Sequence, residues 1–256
     1  MPRKSRKKSR NGVYHIILRG INKQIIFEED EDKRRFLDTL GRFKKQCNIK
    51  LYGYCLMDNH VHLLVKEVEV TVSEFIKRIC SSYVYWYNTK YERCGHLFQD
   101  RFKSEVVETR AYFFTVLRYI HQNPLKAGIA DNVFDSKWTS ISDYLYQSTI
   151  IDTKFVLSHF SEEREKAVQL IARYMNEIND DLCMEELVRV RLSDQDVIDY
   201  LRTLGITSNS TMQHMSKDER DTVLTRLMKL NGVSIRQISR ITGFSKSVVQ
   251  RARDRG

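Results

Sequence analysis

The order of patterns along the chain is strand, helix, strand, strand, helix, strand and a further helix, followed by a purely helical tail. It predicts an α+β fold: a ferredoxin-like antiparallel sheet with helices packed on one face, then an all-α C-terminal region. Three observations carry this. Short β-branched and aromatic runs with period-two alternation recur in the first half of the chain. Longer stretches between them repeat apolar residues every three or four positions. Turn and cap residues separate the two kinds of pattern.

Val13 to Leu18 reads as the first strand, ended by Gly20. The acidic run Glu28 to Asp32 suits a helix N-terminus. Phe36, Leu40 and Phe43 continue that helix at helical spacing to Cys47. Ile49 to Leu56 is the second strand, with Ile49, Leu51, Gly53 and Cys55 on one face. Asp58-Asn59 makes a turn into a third strand, so the second and third form an antiparallel hairpin. From Val72 to Tyr91, Phe75, Ile76, Ile79, Tyr83 and Trp86 form one helical stripe. The segment Cys94 to Ser104 is polar and basic with interleaved aromatics. Ser104 to Glu108 is the fourth strand. Thr109 caps a helix that runs to about Gln122 and is punctuated by Pro124 and Gly128. Beyond it, Trp138 and Tyr144 are expected to pack on the first domain. Glu162 to Ile178 is an amphipathic helix with Val168, Ile171, Ala172 and Met175 inward. Ser193 to Leu204 is another, with Ser193 and Asp196 placed as a capping box.

The C-terminus has its own pattern. Asp218 to Leu230 is a helix stopped by Asn231-Gly232. Ser234 to Thr242 is a short helix with Ile235, Ile238 and Ile241 inward. Gly243 turns the chain, and Ser245 caps a last helix whose exposed positions include Lys246, Gln250, Arg251 and Arg253. Helix, glycine turn, basic helix is the pattern of a helix-turn-helix, with a generic three-helix bundle as the plain alternative.

Charge divides the chain in the same way. The overall net charge of +10 resolves into +11 over residues 1–127, −7 over 128–215 and +6 over 216–256. Six Lys and Arg within residues 1–10 make a flexible basic arm. With the element patterns, the domains expected are this arm (1–10), an α+β domain (11–147), a helical connecting region (148–215) and a helix-turn-helix region (216–256). Two basic blocks suit a polyanion such as nucleic acid. With 41% hydrophobic residues the chain can build a core. No apolar run reaches the roughly 20 residues of a membrane span, and no apolar segment follows the basic N-terminus as in a secretory signal. Five cysteines at irregular spacing, without a C-x-x-C pair, read as reduced thiols and not as a disulfide frame or zinc site. A cytoplasmic, nucleoid-associated protein with no membrane partner is expected.

The chemistry centres on Asp58-Asn59-His60-Val61-His62-Leu63-Leu64-Val65. Val61, Leu63 and Val65 form a buried face, and His60 and His62 share the other. Their Cα atoms are then roughly 6.5–7 Å apart, and two imidazoles at that spacing can converge on one ion or phosphate. The plain alternative is the wet face of a half-exposed strand. On the helix after Thr109, Asn123 follows Tyr119 by four residues and shares its face; Tyr112 lies near that face too. If this helix crosses the third strand, two nitrogens and one oxygen with open positions would suit a divalent ion acting as a Lewis acid. A phenol could then attack phosphorus, with help from a nearby cation or base. Tyr119 read alone is a half-buried helix tyrosine.

The His60 strand motif, Tyr119-Ile120-His121-Gln122-Asn123-Pro124, and the opening Tyr14-His15-Ile16 with Arg19-Gly20 together resemble the single-tyrosine HUH transposase family. The similar branch is that of the transposase-like proteins associated with repetitive extragenic palindromes. The resemblance spans roughly residues 10–147. It implies Tyr119 as the nucleophile, with His60, His62 and Asn123 as ligands of a divalent metal ion (Mg2+ or Mn2+). It implies cleavage and rejoining of single-stranded or hairpin DNA through a 5′-phosphotyrosine, leaving a free 3′-hydroxyl. Asn stands here where other members of the family have Gln, and the tail from about 150 lies outside its smallest members. Arg101 and Lys103, with the arm and the last helix, would hold phosphates. Duplex DNA at the C-terminal helices and self-association into a homodimer are open partners. A DNA-binding regulator that keeps the fold without chemistry is the alternative. A small-molecule H-x-H metallohydrolase is a more distant one, disfavoured by the basic charge.

Overall fold

The computed structural model describes residues 6–146, 150–179, 183, 194–206, 209–213, 215–230 and 233–253. The Ser193 cap and the Asn231-Gly232 helix stop lie outside these residues. The chain divides into two compact units, Met1–Glu186 and Leu187–Gly256, so the second begins upstream of residue 216.

The first unit is built on four strands: β1 (Val13–Arg19), β2 (Lys50–Met57), β3 (His60–Lys66) and β4 (Lys103–Val106). They lie in the order β2-β3-β1-β4 with every neighbour antiparallel. This is the ferredoxin-like order, in which β3 sits between the two strands joined by the first helix. The β2–β3 hairpin forms as expected, but β2 does not alternate cleanly. Leu51 pairs with Val65 and Gly53 with Leu64, a bulge that inserts one residue. One extra residue moves every later side chain to the other face. Leu51 and Gly53 therefore do not share the face that spacing assigned to both.

Helices α1 (Asp30–Gln46) and α2 (Val72–Lys90) follow β1 and β3. The start of α1 is fixed by Asp32, whose carboxylate accepts from the backbone N–H of Glu28 at 2.7 Å and of Glu29 at 3.1 Å. The same carboxylate takes Lys90 at 2.9 Å and the Tyr91 hydroxyl, tying the end of α2 to the start of α1. On α2 Tyr87 is fully buried along with Phe75 and Tyr83, and Trp86 is only partly covered. Tyr87 can turn inward because its hydroxyl donates to Glu28. Helix α3 (Arg110–Lys126) starts where Thr109 accepts from the Tyr112 N–H. It runs through Pro124 to Lys126, one turn beyond the expected stop. Proline costs a single ladder bond here, and the Ala127 N–H still reaches the Asn123 carbonyl at 3.0 Å.

After α3 the chain folds back on β2. The Ser140 N–H donates to the Tyr54 carbonyl, and the buried Tyr144 on α4 (Ile141–Leu145) donates its hydroxyl to the Tyr52 carbonyl. Two more helices, α5 (Thr153–Leu157) and α6 (Arg164–Asn176), complete the unit. The inward stripe of α6 is Ala167, Ile171 and Met175, spaced by four, with Val168 on its flank. The N-terminal arm is not loose throughout. Arg6 stacks on the Phe102 ring at 3.7 Å and donates to its carbonyl, and Arg10 donates its N–H to Glu108.

The second unit holds α7 (Asp194–Thr203), α8 (Asn209–Gln213), α9 (Lys217–Lys229), α10 (Ile235–Thr242) and α11 (Lys246–Arg253). Val197, Leu201, Leu224, Leu227, Ile238 and Val249 form its own core. Ser216 and Glu219 make a reciprocal capping box for α9. Gly243 ends α10 at φ 75°, a left-handed conformation that glycine takes without steric cost. Among the described residues no helix is long and apolar enough to cross a membrane, and no cysteine is bridged.

Candidate active site on the histidine face of the sheet

The antiparallel register decides which residues share a face. His62 lies opposite Ile17, and Glu105 lies opposite His15. His15, Ile17 and Arg19 on β1 therefore face the same way as His60 and His62 on β3 and as Lys103 and Glu105 on β4. Arg19 is directly opposite His60. Helix α3 packs on this face. It can come close because β2 presents Gly53: a Cβ there would stand 3.0 Å from the Leu117 methyl and 3.6 Å from His121 Cε1.

Three imidazoles and one phenol meet in this space. The His60 and His62 rings stand edge to face with centroids 5.0 Å apart. His15 stacks on His62 at 5.2 Å, and its Nε2 is 3.0 Å from His62 Nδ1. The Tyr119 ring lies 5.8 Å from that of His62 and 6.0 Å from that of His15, edge-on to both. Tyr119 is only 3% exposed. The Lys126 ammonium sits 5.2 Å from the centre of the Tyr119 ring. Asn123 is one turn beyond Tyr119, and its amide nitrogen donates to the Tyr119 carbonyl at 3.2 Å.

The ring nitrogens are specified by their neighbours. His60 Nδ1 is 2.6 Å from the Asn59 side-chain oxygen, which can only accept, so this nitrogen carries the proton. His62 Nδ1 is engaged by His15. Ligation by this pair would therefore use Nε2 of each ring. With the Asn123 oxygen that makes two imidazole nitrogens and one amide oxygen, a donor set that fits a divalent ion of the Mn2+ kind with open positions for water or phosphate. Among the described residues no group of three or more His, Cys, Asp or Glu side chains is set to hold a metal ion; a site here draws on the amide.

The other expected residues fall in different places. Tyr112 sits beside Glu105. Burial raises the pKa of its hydroxyl, and hydrogen bonding to Glu105 raises it further. Lys103 shares the histidine face, whereas Arg101 lines a separate cavity of about 680 Å³ with Arg6, Ile76, Cys80 and Phe102. In the second unit Lys246 and Arg251 are exposed and Gln250 is half-buried on α11; Arg253 is the last residue of that helix. Three residues of the face were not singled out as site residues by sequence spacing: His15, Arg19 and Glu105. The available signal was two polar residues, His15 and Arg19, on one face of β1 with Ile17 between them, but only the register joins them to β3.

Among curated proteins none matches the chain significantly. Among solved structures, the chain is similar to a REP-associated tyrosine transposase bound to a REP hairpin. The match has 13% identity and a TM-score of 0.49, over 60% of this chain and 96% of that one. It is also similar to a candidate transposase from Deinococcus radiodurans R1, at 19% identity and a TM-score of 0.33, over 47% of this chain and 97% of that one. Likeness at that level carries no argument about function. The family comparison is of another kind. Residues 8–123, from just before β1 through Asn123, match the family described as Transposase IS200 like, and over that segment the chain is similar to the IS200-like transposases.

Proposed function

We propose that this chain is a transposase that cleaves and rejoins single-stranded or hairpin DNA through a covalent bond to Tyr119, with His60, His62 and Asn123 holding a divalent ion. The observation that carries this reading is the convergence of the β3 imidazoles with the Tyr119 ring at 5.8 Å from His62, with Asn123 one turn further on. In cleavage the Tyr119 oxygen attacks the scissile phosphorus and the bond from phosphorus to the 3′ oxygen breaks. The phenol gives up its proton, and the departing 3′ oxygen takes one up as a hydroxyl. The 5′ side stays on the protein as a phosphotyrosine, and rejoining runs the same exchange backward. The bound ion would supply Lewis-acid polarisation of the phosphate. Lys126 brings positive charge to the phenol as it ionises. Arg19 and Lys103 on the same face suit the flanking phosphates, and Arg101 and Arg6 suit a more distant stretch of backbone. The net charge of +11 over residues 1–127 is in keeping with a DNA strand as the partner.

The experiment is incubation of the full chain with 5′- and 3′-labelled hairpin oligonucleotides and Mn2+, scored for a covalent adduct. The wild type forms one; Tyr119→Phe binds the DNA and forms none, and Tyr112→Phe keeps it. An adduct that survives Tyr119→Phe and is lost in Tyr112→Phe would assign the nucleophile to the wrong tyrosine. A wild type that binds hairpins and never forms an adduct is a DNA-binding regulator.

For the second unit, we propose duplex DNA binding by α10 and α11 in the manner of a helix-turn-helix. The short turn at Gly243 and the exposed Lys246 and Arg251 support it.

A further inference from the structure

We propose that His15 is a positioning residue of this site: with Glu105 behind it, it holds His62 in the tautomer whose Nε2 carries a lone pair. The proposal rests on the reading that His62 is a metal ligand, but its first readout needs no metal.

A neutral imidazole can ligate only through the nitrogen that lacks a proton. For His62 to ligate through Nε2, its Nδ1 must carry the hydrogen and must donate it. The acceptor 3.0 Å away is His15 Nε2. His15 can accept there only if its own proton is on Nδ1. That nitrogen faces the Glu105 carboxylate at 3.7 Å, longer than a hydrogen bond, where the negative charge favours a proton on the nearer ring nitrogen. The carboxylate thus biases His15, and the hydrogen bond between the rings couples His15 to His62. Glu105 is itself held, through its hydrogen bond with Tyr112. His15 is fully buried and stacked on His62, so neither ring can turn without breaking the contact. His60 reaches the same tautomer by a separate route, through the Asn59 side-chain oxygen at 2.6 Å. The two rings of the pair therefore present the same nitrogen, set by different neighbours. Metal-bound histidines characteristically donate their second nitrogen in this way, and loss of such a partner weakens metal affinity about 10–100-fold.

The test uses the full chain labelled with [15N]histidine. Long-range 15N–1H spectra recorded in chelator, with His62 assigned from a His62→Gln variant, report its tautomer. We expect Nδ1–H in the wild type and a shift toward Nε2–H in His15→Phe. Mn2+ affinity measured by electron paramagnetic resonance should fall about 10–100-fold in His15→Phe. It should stay within a few-fold of wild type in His15→Gln, whose carbonyl can accept from His62 and whose NH2 can face Glu105. Intact tryptophan fluorescence shows that each variant is folded. If His15→Phe does not fold, Glu105→Gln, on the partly exposed β4, decides the matter, with a smaller move in the same direction on both readouts. A wild-type His62 protonated on Nε2 overturns the proposal, as does a folded His15→Phe with unchanged tautomer and Mn2+ affinity. Failure of the metal reading looks different: His62→Ala would then bind Mn2+ as the wild type does.

Discussion

Mild acid should release α3 from the sheet through His121. This residue sits between Tyr119 and Asn123 but is fully buried. Its Nδ1 is 2.8 Å from the Leu117 carbonyl, so it must donate there; its Nε2 is 2.8 Å from the Ser140 hydroxyl, which donates to it. The neutral ring thus joins α3 to the segment beside β2. Protonation at Nε2 would force the Ser140 hydroxyl to turn from donor to acceptor and leave a buried charge beside the Tyr144 ring, 5.9 Å away. Burial accordingly lowers the His121 pKa from 6.5 to about 4, although the Leu117 carbonyl raises it in part. Between those two values the unfolded chain binds a proton that the folded one refuses, so stability falls as pH falls. From pH 7 to pH 5 the loss is about 2 kcal/mol, reaching about 3 kcal/mol once the pH is below both values. The two tryptophans, Trp86 and Trp138, both lie in the first unit, so urea unfolding followed by their fluorescence reads that unit alone. Replacing His121 with Gln should remove about 2 kcal/mol of the pH 7-to-5 decline while other titrating groups keep their share. An equal decline in the variant, or an imidazole that titrates near 6.5 by NMR in the folded protein, would show that burial of His121 does not set this pH dependence.

Gly53→Val should destabilise the first unit by about 1–3 kcal/mol, because a Cβ there meets the buried Leu117 methyl at 3.0 Å; an unchanged urea midpoint would show that α3 does not need the gap. Lys126→Met should slow adduct formation about fourfold, the Coulomb effect of a unit charge ~5 Å away at the dielectric of water; equal single-turnover rates would leave the cation without a role in ionising Tyr119. In the second unit, Lys246→Ala with Arg251→Ala should lower the slope of log K against log salt on duplex DNA by about two. A slope that does not move would mean that α11 does not contact phosphates.

Much of the fold was legible because its rules are local. β-Branched and aromatic composition found β1, period-two alternation found β3, and the apolar stripe found α1 and α2, because each pattern is written within a single element. The bulge in β2 was not legible. That strand is buried on both faces after Lys50, so polarity does not mark where the alternation slips. The end of α3 was misread for a related reason. Proline forbids a helix only where the lost N–H bond and the ring clash cannot be borne, and the last turn bears them. Trp86 was expected inside and Tyr87 is, because a tyrosine hydroxyl can be buried once Glu28 accepts its proton, and the sequence does not announce that partner.

The candidate site divides along the same line. His60 and His62 are two apart in one strand, and Tyr119 and Asn123 are four apart in one helix, so their shared faces follow from element geometry alone. That the two faces meet depends on α3 crossing β2 and β3, which no local pattern specifies. His15 lies 47 residues from His62 in sequence, and it enters the site only through the β1–β3 register. Glu105 enters through the β1–β4 register in turn. Arg101 and Lys103 show the converse. Two residues apart, they would share a face if the strand already included both, but β4 begins at Lys103. The strand rule therefore stops two residues short of Arg101, which lines the cavity with Arg6 instead. What single elements cannot show is the layer behind the proposed ligands: Asn59 beside His60 is local, but His15 and Glu105 behind His62 come from neighbouring strands. A pair of histidines in one strand is thus a weak indicator of metal chemistry by itself. It becomes a strong one when the register brings a third imidazole and a carboxylate into line behind it, because that arrangement costs buried polar groups and is hard to explain as packing alone.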